Sequence, residues 1–252
     1  MKFPITRWRA TVLLAFLALL LGIPAAASAS YAAPSTGWIR LGNLSAATSA
    51  VDVYLYPSGA SSPQLVLPDV AYGTVSAYQV VGPGGYSVKM RPAGSSASSQ
   101  PVLTDDVTVQ AGRSYTVAAL SMTGQAAQLK TIDDSLTTPT NKSLVRVIQA
   151  SSHQKNVKFH CSCAPGAAGD IVSHASSGSV SAYAPIPPGT WTMSATGPSG
   201  QASLPVTLVG STVHTEVVID GSSGIEIVNL VDAVGAGQPP TGGASTGFGG
   251  TA

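Results

Sequence analysis

The chain is short of charge. Asp, Glu, Lys and Arg make up 9% of its 252 residues, against about a quarter in ordinary soluble proteins. With no basic patch interleaved with aromatics, nucleic acid is excluded as a partner. Cysteine is almost absent as well, with only Cys161 and Cys163, too few for a disulfide scaffold or a two-pair zinc site. No apolar run of bilayer length follows residue 30, so no transmembrane segment is expected once a leader is removed. Outside the first 30 residues no stretch has a helical period. There is no Gly-x-Ser-x-Gly elbow after a strand, and the carboxylates are not paired as a glycosidase would need. The expectation is a non-enzymatic protein with no cofactor.

What is present begins with an export signal. Lys2, Arg7 and Arg9 precede an apolar run from Val12 to Ile23, then Pro24 and small residues. That order predicts a signal peptide over 1–29, cleaved after Ala29 through the small-x-small pair Ala27 and Ala29. The run is shorter than the ~20 residues of a membrane-spanning helix. Three of the 12 basic residues leave with it, so nine bases face 11 acids and the mature chain is near −2. A surface of Ser, Thr, Gly and Ala, with 44% apolar residues overall, suits a folded protein beside neutral polymers: secreted, extracellular or wall-associated.

Self-comparison exposes a duplication. Ile39-Arg40-Leu41 through Val51-Asp52-Val53-Tyr54 returns as Val145-Arg146-Val147 through Val157-Lys158-Phe159-His160. Gly73-Thr74-Val75-Ser76-Ala77-Tyr78 returns as Gly178-Ser179-Val180-Ser181-Ala182-Tyr183, and Pro83-Gly84-Gly85-Tyr86 as Pro188-Gly189-Thr190-Trp191. Val107-Thr108-Val109 and Gly112 align with Val206-Thr207-Leu208 and Gly210, and His214 is read as answering to a serine of the first copy. Within each copy apolar residues alternate, as at Tyr86, Val88 and Met90, the period of half-buried antiparallel strands. Seven or eight strands per copy predict two tandem immunoglobulin-like antiparallel β-sandwich domains, at 38–134 and 144–234. The Pro-Gly turns are expected to close hairpins into the Tyr86 and Trp191 strands. The polar segment from Asp133 to Lys142 is read as the linker, and 235–252, rich in Gly, Pro and Thr, as a disordered tail.

Val51-Asp52-Val53-Tyr54, Gly73 to Tyr78, Pro83 to Val88, Arg91-Pro92-Ala93-Gly94 and Ala111 to Val117 together resemble the DUF4397 family of exported bacterial proteins. The second copy is less similar, with Lys158 and His160 in place of the Asp and Tyr. The resemblance implies a secreted or wall-associated β-sandwich and no known reaction. Gln238-Pro239-Pro240-Thr241-Gly242 also resembles a sortase pentapeptide, with cleavage at Thr241. The hydrophobic span and basic end of a sorting signal do not follow it, so a chance match in a flexible tail is the competing reading.

Candidate sites are few. Cys161 and Cys163 stand on one face of a strand and allow either a strained disulfide or two thiols. With His160, His153 or His174 they are weak candidates for copper or zinc, although His160 should point the other way. His214 reads as a strand histidine, and Asp52, Asp69 and Glu216 are isolated. Asp105-Asp106 and Asp133-Asp134 read as solvated loop charges. Arg40 and Arg146 hold one position in the two copies and predict a structural ion pair on the sandwich face. Tyr54, Tyr56, Tyr72 and Tyr78 form a candidate carbohydrate-stacking strip, unless Tyr78 and Tyr183 fix a corner of the fold. The leading expectation is a surface structural or adhesion module whose partner is a cell-wall polymer or surface protein. The alternatives are a metal or thiol-redox role at Cys161 and Cys163, or an envelope hydrolase.

Overall fold

The computed structural model describes residues 35–163, 167–222 and 224–235, of which the side chains of Cys163 and Ala167 are not described. Ala29 and Thr241 lie outside the described residues, as does the tail beyond Gly235. Among the described residues all the regular structure is β, and it forms two sandwich modules.

The first module contains nine strands among the described residues. They are β1 (Gly37–Asn43), β2 (Val51–Pro57), β3 (Leu65–Val70), β4 (Thr74–Val75), β5 (Gln79–Val81), β6 (Gly84–Pro92), β7 (Leu103–Val109), β8 (Ser114–Leu120) and β9 (Gln128–Asp134). One sheet runs β4-β1-β8-β9 with β5 also on β1, and the other runs β3-β2-β6-β7. The second module has eight: β10 (Ser143–Gln149), β11 (Asn156–Cys163), β12 (Ala167–Ser176), β13 (Ala184–Ile186), β14 (Gly189–Gly197), β15 (Gly200–Leu208), β16 (Thr212–Gly221) and β17 (Gly224–Val234). Its sheets run β13-β10-β16-β17 and β12-β11-β14-β15. Alternate residues fill each core: Ile39, Leu41, Val53, Leu55, Val88, Met90 and Val117 in the first, and Val145, Val147, Phe159, Met193, Leu208 and Val218 in the second.

Three features differ from the sequence expectation. The sheets are not wholly antiparallel, because β1 lies parallel to β8 and β10 parallel to β16; alternation reports which face is buried and not strand direction. The Pro-Gly turns are not hairpins. β5 pairs with β1 and β6 with β2, so Pro83 carries the chain from one sheet to the other, and the β13 to β14 turn does the same. Finally, the register pairs Ile39 with Tyr115 and Val145 with His214, so His214 answers to Tyr115 rather than to a serine. The left-handed residue before each of these strands is Gly112 in one copy and Ser211 in the other, at φ of 73° and 64°. Gly210 therefore matches the turn by residue type alone.

The two modules pack sheet against sheet. Every residue of β8 is buried, as are the first eight of β16, because Tyr115, Val117 and Ala119 face their own core while Ala118 and Leu120 face the other module. Leu44, Val75, Ala118, Leu120 and Ile132 meet Ile148, Ala150, Val217, Ile219, Val228 and Leu230 in one apolar layer. Burial on both faces suppresses the hydrophobic-polar alternation in these central strands.

Candidate functional site

At one end of this layer the duplicated residues build a charge cluster. The sandwich alternation points Arg40 on β1 and Arg146 on β10 out of their own cores and into the junction, where they are 1% and 2% exposed. Arg40 donates through Nε to Thr116 Oγ1 at 2.7 Å, and Arg146 to Thr215 Oγ1 at 2.9 Å. Thr116 passes a hydrogen bond to Asp134 at 2.6 Å, and Thr215 passes one to Asp232. The charges then cross between modules: Arg40 Nη1 lies 2.9 Å from Asp232 Oδ1, and Arg146 Nη2 bonds Asp134 Oδ1. Tyr78 stacks under Arg40 at 4.6 Å and donates to Asp134, whereas Tyr183 stacks under Arg146 at 4.8 Å and donates to Asp232. One pattern is thus used twice, in reciprocal directions, as in a self-complementary interface.

The cluster is electrically closed, with two guanidiniums against two carboxylates. Burial alone lowers an arginine's affinity for its proton, but the attraction of Asp232 and Asp134 outweighs it and both arginines are held more firmly cationic than usual. Burial raises the pKa of Tyr78 and of Tyr183 well beyond the ordinary phenol value, so both remain donors. The two halves are not equally satisfied. The fork of Arg146 also reaches the Asp133 carbonyl at 2.8 Å, while Nη2 of Arg40 has no hydrogen-bond partner. The Arg40–Asp232 contact is close but not aligned as a hydrogen bond.

Asp133 and Asp134 were expected to be solvated linker charges. Instead they end β9, and the Asp134 side chain is fully buried. Asp133 meets Arg113 at 3.7 Å on the surface. The segment that follows is a fixed strap: Leu136 packs on Val213 and Ala233, and the Ser135 N–H donates to Tyr183 Oη. Beneath the strap runs an open groove of about 680 Å³, lined by Trp38, Arg113, Asp133, Thr137, Thr138 and Tyr183 among others. Asp232, Thr116 and Thr215 were not singled out from sequence. Thr116 and Thr215 recur at one strand position, opposite Arg40 and Arg146, whereas Asp232 sits at a register shift between β16 and β17, one residue from the position that answers to Asp134.

The remaining candidates separate. Tyr54 and Tyr56 are buried at 6% and 8% exposure and lie under Arg91 and Lys89, and Tyr78 is in the junction, so the four tyrosines make no exposed strip. Tyr72 Oη accepts from the Asp220 N–H across the modules at 2.7 Å. Asp52 caps the backbone N–H groups of Asp69 and Gly94. Asp105 and Asp106 are exposed, but within β7 rather than in a loop. Cys161 is buried, with Sγ 3.4 Å from the Gly169 carbonyl. His160 turns to Asp170 at 2.7 Å, where its hydrogen bond, with Lys158, holds that carboxyl below its ordinary range. His153 pairs with Asp220 at 3.1 Å. Among the described residues no three of His, Cys, Asp and Glu converge on one point.

Sequence distance also hid a second polar group. His214 and Glu216, neighbours along one face of β16, are joined through Asn229 on β17. Asn229 Nδ2 lies 3.2 Å from His214 Nδ1 and donates to Glu216 Oε1. Burial holds His214 below the ordinary imidazole value and pushes the Glu216 carboxyl up to about 8.

The fold therefore defines a class, two all-β sandwich modules joined through a charged junction. Residues 37–160 match the family described as "Domain of unknown function (DUF4397)". The match takes in the first module, β10 and the start of β11. No curated protein matches the chain. Among solved structures it is similar to the Bacillus anthracis TIE protein, at 14% identity over 77% of this chain and with a TM-score of 0.25. The chain spans about a third of that protein's length, 34%. It is also similar to a proposed cell adhesion protein from Bacteroides ovatus, at 10% identity over 79% of this chain and 96% of the other, with a TM-score of 0.24. At these TM-scores neither likeness bears on what the chain does.

Proposed function

We propose that the chain is an exported, non-enzymatic unit of the bacterial surface, secreted or wall-associated, that contributes structure or adhesion. The observation that carries the reading is the reciprocal pairing of Arg40 with Asp232 and Arg146 with Asp134. It commits the buried charges of the junction to holding two modules as one body, which is a structural use. The leader over 1–29 and the low surface charge support an extracellular setting. The strap groove, with Trp38 and Tyr183 beside Arg113 and Asp133, offers the mixed aromatic and polar lining that suits a wall polymer or surface protein.

The test is retention of the mature full-length chain on wall polymers, a glycan array and surface-protein extracts, with Trp38→Ala beside the wild type. Retention that falls in the variant is expected. No retention on any of them removes the adhesion half, and a deletion strain with unchanged envelope integrity removes the structural half. The secreted protein's intact mass is expected to begin at Ser30, and a chain retained in the cytoplasm with its leader intact overturns the export reading.

A further inference from the structure

Duplicated modules place like residues at like interior positions, and the second module breaks this rule at one point. The core-facing residues Tyr115 and Val117 of β8 answer to His214 and Glu216 of β16, and Thr131 of β9 answers to Asn229 of β17. A tyrosine and a valine have become an imidazole and a carboxyl inside a sandwich. Glu216 is fully buried and its Oε2 has no hydrogen-bond partner. Burying an unpartnered polar atom opposes folding, and nothing in the packing of the module requires it.

The cluster opens onto a cavity. Between the edge strands β15 and β17, where the two sheets of the module part, lies a groove of about 480 Å³ that His214 and Asn229 both line, a volume in the range that holds a small molecule. Its walls are apolar, with Ala202, Leu204, Val206, Ile225, Ile227 and Val231. Its polar end is rich in acceptors. Asn229 gives its Nδ2 to both His214 and Glu216, so its carbonyl oxygen is left for the groove. Behind it is the unpartnered Glu216 Oε2, and Glu226 lines the rim. No Lys or Arg is among the described lining residues. Acceptors, two carboxyl groups and no cation select a ligand that donates hydrogens and carries positive charge.

We propose that the groove between β15 and β17 is a binding site for a small amine, with an apolar body against Leu204, Val206 and Ile227 and an ammonium head on Asn229 Oδ1, and with the Glu216 carboxyl, which releases its proton to solvent as the ammonium enters, as the buried counter-charge. In the first module Tyr115 and Val117 hold the positions of His214 and Glu216.

The experiment titrates the full mature chain with hexylamine, 1-hexanol and hexanoate and follows binding by chemical-shift changes and calorimetry. Hexylamine is expected to bind at least about tenfold more tightly than hexanol, with hexanoate weakest, and shifts are expected at Leu204, Ile227 and Asn229. Glu216→Gln is expected to weaken hexylamine about tenfold or more while leaving hexanol unchanged. Asn229→Leu serves the same comparison should Glu216→Gln not fold. Equal binding of the three probes, preference for hexanoate, no hexylamine binding at millimolar concentration, or undiminished amine binding in the folded variants would each overturn the proposal.

Discussion

Arg40 of the first module lies 2.9 Å from Asp232 of the second, and neither side chain reaches solvent. A buried pair is strongly destabilised when one partner is removed, because the other charge is left without compensation. Arg40→Met is therefore expected to lower unfolding free energy by about 3–5 kcal/mol. Arg40→Met combined with Asp232→Leu should cost clearly less than the sum of the two single changes. Urea denaturation of the mature chain measures both, and an additive double variant would contradict the coupling.

The two tyrosines of the junction should not weigh equally. Tyr78 donates to Asp134 at 2.7 Å, whereas Tyr183 stands 3.4 Å from Asp232. A well-formed hydrogen bond to a charged group is worth about 1.5–3 kcal/mol. Tyr78→Phe is expected to cost that much and Tyr183→Phe less, read as the shift in urea midpoint at constant slope.

The junction shows how far the sequence could be read. Period two and the recurrence of Arg40 as Arg146 were enough to predict two sandwiches and a structural ion pair. They could not reveal that the pair crosses between modules, because alternation marks a face without saying what covers it. Asp134 was misread for a local reason. It precedes Ser, Thr and Pro, a polar context typical of linkers, yet Thr116 and Arg146 draw it into the interior. The link from Glu216 through Asn229 to His214 depends on the pairing of β16 with β17, which no local pattern in either strand contains.

Asp220 fastens the start of the second module to the end of β16. Its carboxylate accepts from the N–H groups of Ser152 and His153 and from the hydroxyls of Ser151 and Ser152. Burial would raise its pKa, but these donors outweigh burial and hold it below the ordinary carboxyl value. The stability it contributes is present above the unfolded carboxyl value and is lost as pH falls through the lower folded one. Asp220→Ala is expected to cost about 1–3 kcal/mol at pH 7 and to speed amide exchange at 151–153. Unchanged exchange there would show that the loop does not depend on the carboxylate.

Glu216 should show the opposite pH dependence. Its strand partner on β10 is Val147, the module core on that side is apolar, with Val145, Met193 and Val206, and the titratable groups about it are His214, joined through Asn229, and Asp232. Burial raises its carboxyl from 4.5 to about 8, so between those values the folded chain binds a proton that the unfolded chain has released. The contribution of Glu216 to stability is therefore complete below pH 4.5 and declines as pH rises through 8. His214, depressed by burial, acts in the other direction, costing stability as pH falls below the ordinary imidazole value. That effect is common to wild type and a Glu216 variant and cancels in their difference. Glu216→Gln is neutral at every pH and similar in shape. It is expected to match the wild type near pH 4.5 and to exceed it by a few kcal/mol above pH 8, since each tenfold change in proton affinity is worth about 1.4 kcal/mol. Urea midpoints of the two proteins at pH 5 and pH 9 test this. A gap that does not widen with pH would mean that Glu216 is ionised in the folded state, compensated by a donor other than Asn229.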